Sequence, residues 1–147
     1  MEIFEATPFD LPELTNLFDA YRQFYGQSSD VQNCRLFMAD RMQQKDSIIY
    51  IAKTTEEIVG FAQLYPLYSS VKMKKIWLLN DLFIQQSSRR KGYAGKLIER
   101  CNQLSVETSA AGILLETNIK NKEANALYLS LGFRLMDNAN YYIRETS

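Results

Sequence analysis

The 147-residue chain contains no histidine. Ser-His-Asp and Cys-His nucleophile devices are thereby excluded, as are the usual zinc hydrolase ligands, and proton transfer falls to carboxylates, tyrosine, water or backbone. Its two cysteines, Cys34 and Cys101, stand far apart and make no C-x-x-C pair, so neither a zinc site nor a disulfide framework can be read from them. Both fall at apolar helix positions and are expected as packed thiols. Net charge is also missing: 17 basic residues cancel 17 acidic ones. Nothing in that balance points to nucleic acid or an anionic membrane as partner. No apolar run approaches the roughly 18 residues of a membrane span. The start, Met1-Glu2-Ile3-Phe4-Glu5-Ala6, has no basic flank and no apolar core of signal-peptide length. A cytoplasmic protein is expected.

What is present is an ordinary globular composition, 46% apolar and 23% charged. The length suits one domain over residues 1–147, able to bury roughly two thirds of the surface of its unfolded form. Residues 2–6 alternate as a short strand. Asp10 precedes a helix whose Leu14, Leu17, Phe18, Tyr21, Phe24 and Tyr25 keep helical spacing until Gly26. Asp30 begins a second helix through Cys34, Phe37, Met38 and Met42. Strands are expected at 48–53, 59–65 and 76–84, with 68–75 as a polar hairpin loop. Ala94, Leu97, Ile98, Cys101 and Leu104 define a third helix. A strand at 113–116, a helix at 122–131 and a closing hairpin of 133–136 with 141–144 complete the order. The result is a mixed α/β fold in which only the strands flanking the third helix must be parallel.

One turn carries chemistry. Arg89-Arg90-Lys91-Gly92-Tyr93-Ala94 follows an apolar strand and opens an amphipathic helix. The first N–H groups of a helix have no intrahelical partner, and the helix dipole places partial positive charge there, so this is an anion site suited to a pyrophosphate. Three consecutive cations add attraction for a polyanion, and Gly92 has no Cβ to hold it away. A nucleotide P-loop is excluded, because Arg90 stands where the first glycine belongs and Leu97 follows Lys96. A dinucleotide fingerprint is excluded too, since Gly92, Ala94 and Gly95 cannot be fitted to Gly-x-Gly-x-x-Gly.

Arg89, Gly92 and Ala94 do fit Arg-x-x-Gly-x-Ala, and there the chain resembles the GCN5-related N-acetyltransferases. A second stretch, Asn121-Lys-Glu-Ala124-Asn-Ala-Leu-Tyr128-Leu-Ser-Leu-Gly132-Phe133, resembles the other half of that signature. Its Ala124, Leu127, Tyr128 and Leu131 lie on one helical face, which on spacing alone makes Tyr128 a core aromatic, and Gly132 stops the helix. A third stretch, Trp77-Leu78-Leu79-Asn80-Asp81-Leu82-Phe83-Ile84, is similar to the Asp-Leu-Phe/Tyr-Val/Ile strand of the small-amine, diamine and histone or polyamine branch. Diamine enzymes usually have Glu where this chain has Asn80, so a carboxylate base is lost there.

The resemblance implies a central, mostly antiparallel sheet of six or seven strands with a splayed parallel pair and four helices. It implies acetyl-coenzyme A as cosubstrate, without a metal, and attack by a primary amine in a ternary complex. The implied cofactor contacts are Leu82, Phe83 and Ile84 for the pantetheine arm, Arg89, Arg90, Lys91, Gly92, Tyr93, Ala94, Gly95 and Lys96 for the phosphates, and Asn121, Ala124 and Tyr128. Tyr128 takes the position of the family's proton donor. Asp81 and Glu116 are the candidate bases, neither favoured, and both also read as carboxylates paired within the sheet. Tyr21, Phe24, Tyr25, Tyr65, Tyr68, Ser69 and Asn80 are expected around the acceptor, where aromatic faces suit a cation and equally suit a core. A small amine is the expected acceptor, with a protein lysine or N-terminus next; the alternative is a non-catalytic acyl-coenzyme A binding or sensing module. The terminal hairpin, with Tyr141, Tyr142 and Ile143, is expected at a homodimer contact.

Overall fold

The apolar stretches pair into one sheet. β1 (Glu2–Glu5), β2 (Ile48–Lys53), β3 (Ile58–Ser69), β4 (Lys74–Ile84) and β5 (Ile113–Leu114) lie side by side in chain order. Every junction is antiparallel except β4 with β5, a parallel pair joined through a single α-helix. In the computed structural model, which describes residues 1–146, these strands belong to one unit, Met1–Glu116, and a second unit starts at Thr117.

Alternation gives the sheet two faces. Ile49, Ile51, Phe61 and Phe83 form a core with α1 (Leu11–Phe24) and α2 (Val31–Gln44). The i, i+3 spacing of Leu11, Leu14 and Leu17, with Phe18 beside them, turns one stripe of α1 inward. Leu14 and Met38 are wholly buried, and each such side chain contributes roughly 1.5–3 kcal/mol. The opposite face carries Tyr50, which Arg100 of α3 (Tyr93–Glu107) covers at 4.6 Å. Leu97, Ile98, Cys101 and Leu104 are the buried stripe of α3. Both thiols are packed as expected, and burial pushes that of Cys101 up to about 12.

The α1 to α2 connection is held by one carboxylate. Asp19, in the middle of α1, accepts from the Asp30 N–H at 2.7 Å, Ser29 Oγ at 2.7 Å and Gln23 Nε2 at 3.0 Å. Those donors, the Asp30 amide foremost, hold its carboxyl below the usual range. Gly26 leaves α1 with φ +86°, a left-handed conformation that glycine adopts without a Cβ clash.

Strand β4 is bulged. Gln63 pairs with Asp81 and Leu64 with Leu79, so Asn80 is an extra residue with no partner on β3. Upstream, Trp77 shares a face with Pro66 and donates its Nε1–H to Thr108 Oγ1 at 2.9 Å, at the end of α3. Downstream, Phe83 shares a face with Phe61 and packs on Tyr21 of α1. The odd-numbered residues of β4 therefore change layer at Asn80.

The polar run expected as a loop at 68–75 instead extends both strands: Tyr68 pairs with Lys75 and Ser69 with Lys74. Lys75 Nζ lies 4.9 Å from the Trp77 ring centroid and 5.9 Å from that of Tyr68, so a cation stacked on aromatics continues the ladder. Among the described residues the strand count is five, not six or seven. β5 has two residues rather than four, and among the described residues no strand forms at 133–136 or 141–144. Leu135, Tyr141, Tyr142 and Ile143 are exposed, and two short strands without a third strand or a helix to cover them are marginal in water. The second unit carries α4 (Lys122–Ser130), its one helix among the described residues. The Asn121 side chain accepts from the Ala124 N–H at 3.2 Å and caps its start. At its end the Phe133 N–H reaches Tyr128 O at 3.0 Å and the Gly132 N–H reaches Leu129 O at 3.2 Å, with Gly132 at φ +91°, a Schellman stop.

Candidate active site

The β4–β5 pairing spans only Trp77 with Ile113 and Leu78 with Leu114. Beyond Leu78, among the described residues, that side of β4 has no strand beside it. Which backbone groups it offers follows from the bulge. The Trp77 N–H donates toward the β5 side, to Gly112 O at 3.0 Å, whereas the Gln85 N–H donates toward β3, to Val59 O at 2.9 Å. Alternation back from Gln85 turns the backbone groups of Phe83 and Asp81 to β3, and those of Leu82 and Ile84 to the open edge. These are the two residues expected to meet the amides of a pantetheine arm, and an unpaired strand edge is suited to add such a chain. The Ile84 carbonyl already accepts from Arg89 Nε at 2.9 Å.

That bond fixes Arg89. Its guanidinium lies 4.8 Å from the Phe24 ring and 5.4 Å from the Phe83 ring, so its charge is engaged with α1 and β4. Arg90, Lys91 and Lys96 are exposed, while Tyr93, Ala94 and Gly95 are half-buried at the first turn of α3. Gly92 is the residue before that turn, with φ +80°. A Cβ there would meet no atom within 4 Å, so the fold needs glycine for its left-handed backbone. The open turn with three exposed cations, Arg90, Lys91 and Lys96, fits a pyrophosphate.

Asp81 lies on the α1/α2 face, buried. It accepts from Tyr21 Oη at 2.9 Å and from Asn80 Nδ2 at 3.1 Å. Burial raises its carboxyl above the usual range, and the two donors oppose that rise. Tyr65 on β3 is pushed up to about 12, by burial first and then by the negative Asp81. Tyr21 is enclosed by Tyr25, Phe61 and Phe83 at ring distances of 5.1, 5.5 and 5.7 Å. Tyr25, Phe24 and Tyr68 are exposed, and Ser69 Oγ accepts from the Lys72 N–H at the hairpin tip. Tyr21, Phe24, Tyr25, Asn80 and Asp81 thus come together, with Tyr65 facing the carboxylate. Glu116 is exposed beyond β5. Sequence reasoning passed over Gln63, which is wholly buried opposite Asp81, donates to Ser47 Oγ at 3.0 Å and leaves its Oε1 without a partner. The available signal was one amide inside an apolar run. In the second unit, Tyr128 is half-buried with its ring 5.8 Å from Phe133.

Residues 11–133 match the acetyltransferase (GNAT) family. The chain belongs to it. This GNAT chain is 38% identical over 133 residues to an uncharacterized N-acetyltransferase, YhfO, of Bacillus subtilis, covering 90% of this chain and 89% of that one. A crystal structure of a probable acetyltransferase superposes with TM-score 0.94 at 37% identity, over 100% of this chain and 99% of the other. A ribosomal-protein-alanine N-acetyltransferase from Brucella melitensis shares the fold, with TM-score 0.82 at 20% identity over 99% and 100% of the two chains. The protein is an acetyl-CoA-dependent N-acetyltransferase. The GNAT fold accounts for the short parallel pair. Among the described residues no cluster of three His, Cys, Asp or Glu is placed to hold a metal ion, and no helix is long and apolar enough to cross a membrane.

Proposed function

We propose that this N-acetyltransferase acetylates the primary amine of a small cationic molecule, by direct attack in a ternary complex. The observation that carries the reading is the β4 bulge, where a buried carboxylate and an aromatic cluster adjoin an open strand edge. Acetyl-CoA supplies the acetyl group as an activated thioester. An alkylammonium with pKa near 10.4 costs roughly 4–5 kcal/mol to present as free amine at pH 7. Asp81, made more basic by burial, is the group proposed to lower that cost. A strand N–H at Leu82 is proposed to stabilise charge building on the thioester oxygen, an effect of up to ~3–4 kcal/mol elsewhere. Tyr128 is the proposed proton donor to the departing thiolate. Cys34 and Cys101 are buried with raised thiol values, which disfavours an acyl-enzyme route.

Aromatic faces at Tyr21, Phe24 and Tyr25 favour a compact cation. An acceptor panel with acetyl-CoA and free-thiol detection tests the reading. Small amines and diamines should outperform lysine peptides, and Tyr128→Phe should lower turnover roughly 10²–10⁴-fold with cofactor affinity kept. Cofactor binding without thiol release from any amine would overturn the reading in favour of a sensing module. We propose also a cytoplasmic homodimer paired through the exposed tail around Tyr141 to Ile143; a monomer by light scattering at high micromolar concentration would reject the pairing.

A further inference from the structure

We propose that Tyr21 is a catalytic residue, the point at which the acceptor's proton enters a Tyr21–Asp81 relay. The proposal rests on the acetyltransferase reading above. Asp81 is too enclosed to be the first contact: it is 8% exposed, with Tyr21 on Oδ1 and Asn80 on Oδ2. Tyr21 is half-buried, and its Oη already points its hydrogen at the carboxylate over 2.9 Å. The phenol ring is fixed on four sides, by Phe18, Tyr25, Phe61 and Phe83 at 5.1 to 6.2 Å. A side chain held this firmly keeps its oxygen in one place, as proton transfer requires.

The step balances without a co-reactant. The ammonium N–H breaks and its proton forms a bond to Tyr21 Oη. The Oη–H of Tyr21 breaks, and its proton passes to Asp81 Oδ1. The amine is left neutral, Tyr21 ends as neutral phenol, and Asp81 ends protonated. Phenolate never accumulates, so the high pKa of a phenol is no obstacle. Among the described residues, the groups facing this pair include Asn80 from β4, Gln63 and Tyr65 from β3, and Tyr25 from α1. Arg89 stacks on the Phe83 ring, and the charges of Arg41, in α2, and Asp46, just past its end, act on Tyr65.

Tyr21→Phe keeps the ring and removes the link. The readout is the pH profile of kcat/KM for the best amine, beside acetyl-CoA affinity. Tyr21 donation lowers the Asp81 carboxyl, so losing it moves the acidic limb to higher pH whenever Asp81 is the group that takes the proton, directly or through Tyr21. A relay predicts in addition that the plateau falls roughly 10²–10⁴-fold, with acetyl-CoA affinity kept. It also predicts that Tyr21→Phe with Asp81→Asn costs little more than either change alone, as for residues acting as a unit. A shifted limb with an unchanged plateau would overturn the relay and leave Asp81 acting directly. Multiplicative losses in the double variant would overturn it as well. A wild type that acetylates no amine would instead overturn the underlying reading, and the relay with it.

Discussion

Asp81 is a carboxylate that the fold would rather keep neutral. Burial raises its value, so its favourable contribution is complete below the unfolded carboxyl pKa of about 3.9 and is lost as pH rises through the folded value. At neutral pH the ionised group costs stability, which fits a residue retained for chemistry. Asp81→Asn should therefore raise the melting temperature at pH 7–8, the gain shrinking toward pH 4, while amine acetylation falls. Melting curves across that range check it; a gain that grows in acid contradicts the assignment. Gly60 is sensitive for a different reason. A Cβ there would sit 2.4 Å from Ile84 Cδ1 and 2.9 Å from the Phe83 carbonyl. Gly60→Ala should cost about 1–3 kcal/mol by overpacking, and should weaken acetyl-CoA binding because Ile84 is displaced from the open edge. Chemical denaturation and calorimetry measure the two effects, and unchanged values of both would refute the prediction.

Between elements, Asp19 acts in the opposite sense. Its donors lower the carboxyl, so the stability it supplies is present above the unfolded value and lost as pH falls through the folded one. Asp19→Asn should cost about 1–3 kcal/mol at neutral pH, with a smaller difference in acid, seen by denaturation at pH 7 and pH 3. A constant difference would show that shape, not charge, ties α1 to Ser29 and Asp30. The helices themselves were legible in the sequence, because Leu14, Leu17 and Phe18, or Leu97, Ile98 and Cys101, announce a buried stripe. The bulge was not. Trp77, Leu79, Asp81 and Phe83 read as one alternating face, yet the first two lie toward α3 and the last two toward α1. Asp81 could be picked out by its resemblance to a motif, but its meeting with Tyr21 depends on Asn80 being unpaired. Nor was the stacking of Arg89 on Phe24 legible, since nothing local announces a ring that comes from a distant helix.

On the scale of the molecule, the absence of histidine leaves proton transfer to carboxylates, tyrosine, water or backbone, and the absence of net charge points to no polyanionic partner. The tail was the weaker reading: Tyr141 to Ile143 alternate plausibly, but a strand is made by its neighbour as much as by its own residues. The family match across residues 11–133 fixes the reaction type, while in the reading proposed above the acceptor is chosen by the side chains around the bulge.

The half-paired β4 has a consequence for exchange with solvent. From Asp81 onward, odd-numbered amides are tied to β3, while those of Leu82 and Ile84 face the side that β5 leaves open. One strand should then show two rates in alternation under hydrogen–deuterium exchange: slow at Phe83 and Gln85, fast at Leu82 and Ile84, the difference reflecting ladder bonds that must open before exchange. Adding acetyl-CoA should erase the alternation by protecting the fast pair. Uniform protection in the free protein, or fast exchange persisting at Leu82 with cofactor bound, would mean that this edge is not where the pantetheine arm lies.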